Sequence, residues 1–149
     1  MAIDYGTKSI GVAISDELQL TVRPLTTIRR RRKKYSQVIE IICSLVSDHE
    51  IGTLIMGLPL NMDGTRGEAA DRVEKFVNDL QSRLPISIVT IDERLTSNEA
   101  DQILREMGLN ERERRARSDE YAAAIILHDY LEGQARKRET ESTPSQSSQ

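Results

Sequence analysis

The N-terminal segment constrains the fold most, because two short apolar stretches flank a tight polar turn. Residues 2–4 are apolar up to a terminal acid, and residues 10–14 are rich in β-branched side chains. Tyr5-Gly6-Thr7-Lys8 separates them, which predicts a β-hairpin. A further stretch, residues 20–28, contains Pro24 and predicts an edge strand or a strand with a bulge. The chain therefore begins as an antiparallel meander.

After the meander, helical and strand patterns alternate along the chain. Apolar residues recur at helical spacing in some segments, and short β-branched runs separate them. This order predicts an α/β fold with a mixed five-stranded sheet and helices on both faces. The predicted elements are a helix at 38–46, a strand at 53–57, a helix at 73–84, a strand at 86–91, a capped helix at 96–107 and a buried helix from 119 to about 131.

Length and composition exclude several classes of function. The chain has 149 residues, which is enough for one domain, and aromatic residues make up only 3%, so a surface of stacked rings is not expected. Cys43 is the one cysteine, and no apolar run approaches the roughly 20 residues of a membrane span. We expect a cytoplasmic protein with no membrane partner. Residues 1–132 form the predicted domain, and the polar residues 133–149 predict a disordered tail.

Three acids occupy positions that a hydrophobic core does not need. Asp4 ends the first strand, Glu93 follows the last strand, and Asp119 begins the last helix. Groups at strand ends of an α/β sheet meet at one end of it, and a helix N-terminus favours an ionised acid. Clustered carboxylates are stable mainly around a hard divalent cation such as Mg²⁺, which can support phosphodiester hydrolysis. The placement therefore indicates a metal-dependent hydrolytic site.

Each acid also has an ordinary structural interpretation. Asp119 could be a first-turn acid, Asp4 a turn residue, and Glu93 the partner of Arg94 or another arginine. Strand alternation sends Asp92 and Glu93 to opposite faces, so one of them points inward. Spacing alone leaves these alternatives open.

Four motifs occur in order along the chain: DYGTKSIGVAISD at 4–16, GLPLNMDGT at 57–65, DERLTSNEA at 92–100 and SDEYAAAIIL at 118–127. The first motif alone is shared by ribonuclease H-like nucleases and by actin-like sugar kinases, but such kinases need two domains of this kind. Together the motifs closely resemble the YqgF family of pre-16S rRNA nucleases, once described as Holliday-junction-resolvase-like. The resemblance covers residues 4–131.

The resemblance implies a ribonuclease H-like fold and a metal-dependent endonuclease that matures the 5′ end of 16S rRNA. Its acidic positions map onto Asp4, Glu93 and Asp119, as catalytic residues and as ligands of Mg²⁺ or Mn²⁺. Related resolvases present four acids, which leaves the number of ions open. The alternatives are a resolvase of branched DNA, for which we expect at most a weak homodimer, and a non-cleaving nucleic-acid-binding factor in transcription or ribosome assembly.

The chain contains two clusters of basic residues, although its net charge is −3. A run of cations such as RRRRKK at 29–34 is typical of a solvated helix start or of phosphate contacts, and the absence of acids within it favours the second. The arginine-rich loop at 112–117 is expected to act as a mobile clamp beside the site, and Arg94 to contact the scissile phosphate or pair with a carboxylate. The cations assigned to nucleic-acid binding are Lys8, Arg29, Arg30, Arg31, Arg32, Lys33, Lys34, Arg94, Arg114 and Arg115.

Overall fold

A mixed five-stranded sheet organises the chain, which confirms the predicted α/β class. The computed structural model describes residues 1–93 and 108–143. The strands follow the order β3-β2-β1-β4-β5, with antiparallel pairs around β2 and parallel pairs around β4. The elements are β1 (Ala2–Tyr5), β2 (Ser9–Ser15), β3 (Val22–Arg29), α1 (Tyr35–Asp48), β4 (Thr53–Leu58), α2 (Glu68–Gln81), β5 (Ser87–Asp92), α3 (Glu111–Ala116) and α4 (Ser118–Ser142).

The opening meander follows from its turn residues. The Gly6 amide donates a hydrogen bond to the Ser9 carbonyl at 3.0 Å, and a Cβ at Gly6 would lie 2.5 Å from that same oxygen. Only glycine therefore closes this hairpin without strain. β3 is an edge strand, and its pairing with β2 shifts register so that Val12 faces Thr26 while Ala13 faces Pro24. Both expectations for Pro24, an edge strand and a bulge, are confirmed.

The helices cover the two faces of the sheet unequally. α1 and α2 pack on one face over large side chains of the strands, among them Ile3, Val12 and Met56. Among the helices of the described residues, α4 is the one that packs on the other face, against small residues such as Ala2 and Ala13. Since β1, β3, β4 and β5 all end where β2 begins, one end of the sheet collects Asp4 and the residues that follow β4 and β5. We call it the carboxylate end.

The C-terminal third differs from the predictions in three respects. Residues 111–116 form a helix rather than a loop, because Asn110 and Glu113 make a capping box at its start. Arg117 occupies the N-cap position of α4, so the helix begins at Ser118, one residue before its predicted start. α4 also continues to Ser142, about ten residues past its expected end.

This extension corrects the predicted disordered tail for residues 133–142. The segment is rich in Gln, Ala, Arg, Lys and Glu, which favour helix once the packed half of α4 has nucleated it. Arg136 also lies 3.9 Å from Glu132, one turn earlier. The helix stops at Thr143, which is extended and precedes Pro144, as proline disfavours a helical residue before it.

Two predictions fall on other parts of the chain. The capped helix at 96–107 and the last residues of the tail, 144–149, lie outside the described residues. Within residues 1–93 and 108–143, no helix has both the length and the apolar character that a membrane span requires.

Candidate active site

Asp4 and Glu93 meet at the carboxylate end across the intervening strand β4. Glu93 follows β5, and its side chain lies over Gly57 of β4, where a Cβ would stand 2.1 Å from the Glu93 carboxyl oxygen Oε1. The Glu93 carboxyl group then donates a hydrogen bond to the Asp4 carboxylate. Gly57 is therefore the residue that lets Glu93 reach β1.

The contact changes the proton affinity of both acids. Burial, the charges of Asp4 and Asp92 and the hydrogen bond to Asp4 together raise the pKa of Glu93 to about 7, and burial is the largest of these causes. Burial and the charge of Asp119 also raise the pKa of Asp4, while the hydrogen bond from Glu93 opposes the rise. Below about pH 7 the Glu93 carboxyl group is therefore protonated and donates its proton in the hydrogen bond to Asp4.

Asp119 joins this pair because α4 begins directly above β2. A Cβ at Gly11 would lie 1.8 Å from the Asp119 carbonyl oxygen, so the first turn of α4 rests on the Gly11 backbone. Gly11 is in turn paired with Asp4 across β1 and β2. The structure therefore brings together the three acids predicted from the sequence.

Ser9 is a residue of the carboxylate end that the sequence analysis missed. Its hydroxyl group Oγ donates a hydrogen bond to Oδ2 of Asp119, which orients that carboxylate. Ser9 lies two residues before Gly11, so strand alternation places both on the α4 face. That spacing is the signal that could have identified it.

Glu120 was missed as well, and it fixes the start of α4 on the sheet. Its side chain is buried, with 6% of the residue exposed, and it accepts hydrogen bonds from Nε of Arg117 and, at 3.4 Å, from Oγ1 of Thr27. Thr27 is paired with Gly11, directly beneath the first turn of α4. Arg117 also lies 5.2 Å above the Tyr121 ring, so it is a fixed anchor rather than part of a mobile clamp.

The contacts of Glu93 show which of the two neighbouring acids at the end of β5, Asp92 or Glu93, points toward the site. Asp92 is paired with Leu58 in the sheet, and it acts on the site through its charge on Glu93. Glu93 is the acid that reaches Asp4. Of the two acids that strand alternation sends to opposite faces, Glu93 is therefore the one that points toward the site.

The basic run, residues 29–34, begins at the same end of the sheet. Arg29 ends β3 opposite Ser9, and the residues after it are exposed except for the half-buried Arg30. Arg30 donates a hydrogen bond from Nη1 to the Gly6 carbonyl at 2.8 Å and lies 4.7 Å above the Tyr5 ring, so it supports the hairpin. Arg31, Arg32 and Lys33 line an open groove of about 790 Å³ beside α1.

The remaining predicted cations have different surroundings. Lys8 is exposed in the β1–β2 turn at the carboxylate end. Lys33 donates a hydrogen bond from Nζ to the Arg29 carbonyl at 3.0 Å, and exposed Lys34 occupies the N-cap position of α1. Arg115 pairs with Glu111 at 2.7 Å. Arg114 lies in α3, and Arg94 falls outside the described residues.

The donor set at the carboxylate end suits a hard divalent cation. Three carboxylates supply only oxygen ligands, which Mg²⁺ and Mn²⁺ prefer, and burial together with the charges of neighbouring acids raises the pKa values of Asp4 and Glu93. A second group of potential ligands, His128, Asp129 and Glu132, lies further along α4. There the histidine nitrogens are 3.8 and 3.6 Å from the two acids, which is ordinary spacing along one helix.

A mixed sheet of this order, with acids gathered where its central strands end, defines an α/β protein of the ribonuclease H-like class. The family model described as "RuvX: Holliday junction resolvase" matches residues 1–133. The chain belongs to this RuvX family, and the resemblance seen in its four motifs is confirmed.

Relatives align over most of both chains. A protein from Roseiflexus sp. (strain RS-1) is 41% identical over 134 residues, covering 90% of this chain and 94% of its own. A Halalkalibacterium halodurans protein is 40% identical over 137 residues, covering 92% and 98%. A Syntrophus aciditrophicus protein is 39% identical over 138 residues, covering 93% and 91%. Each is named "Putative pre-16S rRNA nuclease".

Proposed function

We propose that this protein is a divalent-metal-dependent endonuclease that hydrolyses phosphodiester bonds in structured RNA, at the 5′ end of 16S rRNA precursors. The observation that carries the proposal is the hydrogen-bonded carboxyl pair Asp4–Glu93, which lies beside Asp119 at the carboxylate end. The names of the relatives support the choice of substrate. A cytoplasmic location belongs to the proposal, because rRNA precursors are processed where rRNA is transcribed.

The side chains at the carboxylate end divide the work. Asp4, Glu93 and Asp119 would hold Mg²⁺ or Mn²⁺, which would require the Glu93 carboxyl group to release the proton that it donates to Asp4. Such an ion supplies a polarised water and charge compensation at the leaving oxygen. Ser9 keeps the Asp119 carboxylate aimed at the site, and Glu120 holds the helix that carries it.

The substrate would be gripped through its phosphates. The exposed cations at 29–34 and Lys8 lie at the same end of the sheet as the acids, so a bound strand can cross from one group to the other. Contacts of this type are independent of base sequence and weaken as salt is added. Binding should therefore fall steeply with ionic strength.

The test is a paired cleavage assay with Mg²⁺ or Mn²⁺. Wild type is incubated with a 16S precursor RNA and with a four-way DNA junction, beside Asp4→Asn and the control Glu17→Gln. Glu17 is exposed in the β2–β3 turn at the opposite end of the sheet. We expect the RNA to be cut by wild type and by Glu17→Gln, and Asp4→Asn to be at least about 100-fold slower, because a ligand of the ion is removed.

The junction arm tests the second candidate, a Holliday-junction resolvase, which the description of the matching family favours. Cleavage of the junction alone would assign that activity, and a homodimer at assay concentration would be needed for paired cuts on a two-fold symmetric substrate. Salt-sensitive binding without cleavage of either substrate would contradict the nuclease proposal and indicate a nucleic-acid-binding factor.

A further inference from the structure

The basic run at residues 29–34 is divided between the two faces of the sheet. Arg30 lies over the ring of Tyr5, and that ring packs against the core under α1 and α2. The side chains of residues 31–33 line the groove beside α1. Arg29 is the last residue of β3, so its place in the strand determines the face from which its side chain leaves the sheet.

Strand alternation places Arg29 on the α4 face. Ile28, the residue before it, is buried in the core under α1 and α2. Thr27, two residues before it, donates a hydrogen bond to Glu120 in the first turn of α4. Since successive side chains of a strand point to opposite faces, Arg29 shares the face of Thr27. Within the basic run, Arg29 therefore lies on the side of the sheet that carries Asp119.

Arg29 is also the cross-strand neighbour of the residue that orients Asp119. It is paired with Ser9, whose hydroxyl group donates a hydrogen bond to the Asp119 carboxylate. The amide of Arg30 donates to the Lys8 carbonyl at 3.0 Å, which makes Ser9 and Arg29 a non-hydrogen-bonded pair of the ladder. The Cα atoms of such a pair are only about 4.5 Å apart, and their side chains lie closest together. The Arg29 side chain therefore starts next to the hydroxyl group that touches Asp119.

The Arg29 side chain is available to a ligand in solution. It is exposed, and within residues 1–93 and 108–143 its guanidinium group makes no hydrogen bond or ion pair. Arg117, which also lies beside the start of α4, is instead held by Glu120 and by the ring of Tyr121. A guanidinium group can donate two parallel hydrogen bonds to a phosphate, which an ammonium group cannot do in the same fixed geometry. Arg29 therefore suits a phosphate that lies against the first turn of α4.

We propose that Arg29 binds a non-bridging oxygen of the phosphodiester that is cleaved, whereas residues 31–33 bind phosphates further along the strand. The proposal rests on the proposed nuclease function, since it needs a scissile phosphodiester at Asp4, Glu93 and Asp119. Negative charge accumulates on the oxygens of that phosphate as the bond breaks. A cation fixed beside them stabilises the transition state more than the bound substrate. Arg29 should therefore contribute to the rate of cleavage as well as to affinity.

The test measures rate and affinity separately on the 16S precursor RNA. Single-turnover cleavage at saturating protein with Mg²⁺ or Mn²⁺ gives the rate constant, and fluorescence anisotropy in EDTA gives Kd. A second RNA carries a neutral methylphosphonate at the linkage that wild type cuts. The variants are Arg29→Gln, Arg29→Lys, which keeps the charge, and Arg31→Gln, which removes one charge from the same run. The control is Arg23→Gln, because Arg23 is exposed near the opposite end of β3. Circular dichroism melting verifies that each variant folds.

We expect Arg29→Gln to lower the rate constant about 100-fold, and Arg29→Lys to recover part of that loss. Arg29→Gln and Arg31→Gln should each reduce the slope of log Kd against log salt by about one, while Arg23→Gln matches wild type in rate and Kd. The ratio of Kd for the neutral RNA to Kd for the charged RNA should be the same in wild type and Arg31→Gln. That ratio should be about three- to tenfold smaller in Arg29→Gln, because the contact with the cut linkage is already lost.

Two results would overturn the proposal for Arg29. One is an Arg29→Gln variant that cuts at the wild-type rate, and the other is a Kd ratio in Arg29→Gln equal to that of wild type. A folded wild-type protein that does not cut overturns the nuclease function itself, and with it any contact between Arg29 and a cleaved linkage.

Discussion

The two faces of the sheet are built differently from adjoining residues of the same strands. On the face covered by α1 and α2, the strands present large buried side chains such as Ile3, Val12 and Met56. On the face covered by α4, most of the adjoining positions carry small residues, namely Ala2, Gly11, Ala13 and Gly57, with Ile55 as a large one among them. One face is therefore a conventional hydrophobic core, and the other lets backbone and carboxylates come close.

The difference shows where stability is given up for a site. Burying a large aliphatic or aromatic side chain contributes roughly 1.5–3 kcal/mol, which the α1/α2 face collects many times. The small residues on the α4 face bury less apolar surface, so they contribute less to the free energy of unfolding. That face also carries the crowded acids Asp4, Glu93 and Asp119. Locally destabilised sites are expected where function requires them. The predictions below alter the α4 face, from the largest expected effect on the free energy of unfolding to the smallest.

The largest effect is expected for Gly11→Ala, which would break the close approach of α4. Its Cβ would lie 1.8 Å from the Asp119 carbonyl oxygen and 2.7 Å from the Glu120 amide nitrogen. Both are backbone atoms that cannot rotate away, so the start of α4 must move. Overpacking of this kind costs about 2–4 kcal/mol, and a fall in Tm of roughly 10 °C is expected by circular dichroism.

Gly52→Ala is the matched control for that substitution. Nothing lies within 4 Å of the Cβ that it would add, so its Tm should remain within about 2 °C of wild type. If Gly11→Ala melts at the temperature of Gly52→Ala, then α4 does not rest on β2 and the contrast between the two faces is lost.

The sequence predicts the large elements of this contrast but not its close contacts. Asp4, Glu93 and Asp119 could be found because strand ends and a helix start are visible in the order of apolar segments. Glu120 could not be found, since a second acid in a first turn is common, and Ser9 could be identified only through its spacing from Gly11, which has meaning once Gly11 is known to face α4. Their roles arise only when α4 is laid on β2, which local patterns do not specify.

For the helical region after residue 110, the sequence analysis predicted too little regular structure. Charged composition predicted a loop at 112–117 and disorder from residue 133, yet residues 111–116 and 118–142 are helical. Arginine, glutamate, lysine and glutamine favour both solvation and helix, so composition does not choose between them. A capping box and continuity with a packed helix decide the outcome here.

For Glu93→Gln we expect an effect of intermediate size and opposite sign, that is, a gain in the free energy of unfolding. The substitution tests the comparison between the two faces because it removes the unfavourable ionisation of Glu93 beside Asp4. The folded-state pKa of Glu93, about 7, lies above its ordinary value of 4.5. Stability from the protonated carboxyl is fully present below pH 4.5 and is lost as the pH rises through about 7. In Glu93→Gln the side-chain amide is a neutral hydrogen-bond donor to Asp4 at every pH, so the variant does not lose this stability as the pH rises.

Urea unfolding in EDTA measures the difference. At pH 8 Glu93→Gln should be more stable than wild type by about 1–2 kcal/mol, a value reduced for the partial exposure of the site, and at pH 4.5 the two should be nearly equal. Glu17→Gln, at the opposite end of the sheet, should follow wild type at both values. A wild-type protein that does not lose stability relative to Glu93→Gln between pH 4.5 and 8 would mean that Glu93 is not crowded by Asp4.

The smallest effect on folding is expected for Ser9→Ala, which removes one hydroxyl group from the α4 face. Its hydrogen bond orients the Asp119 carboxylate, so the loss should cost only about 1 kcal/mol of stability. Affinity for Mn²⁺, measured by calorimetry, should nevertheless fall roughly fivefold or more, because a carboxylate that is free to rotate is a poorer ligand. Ser9→Thr keeps the hydroxyl and should restore most of the affinity. Unchanged Mn²⁺ binding in Ser9→Ala would place Asp119 outside the metal site and would leave the α4 face with a purely structural hydrogen bond.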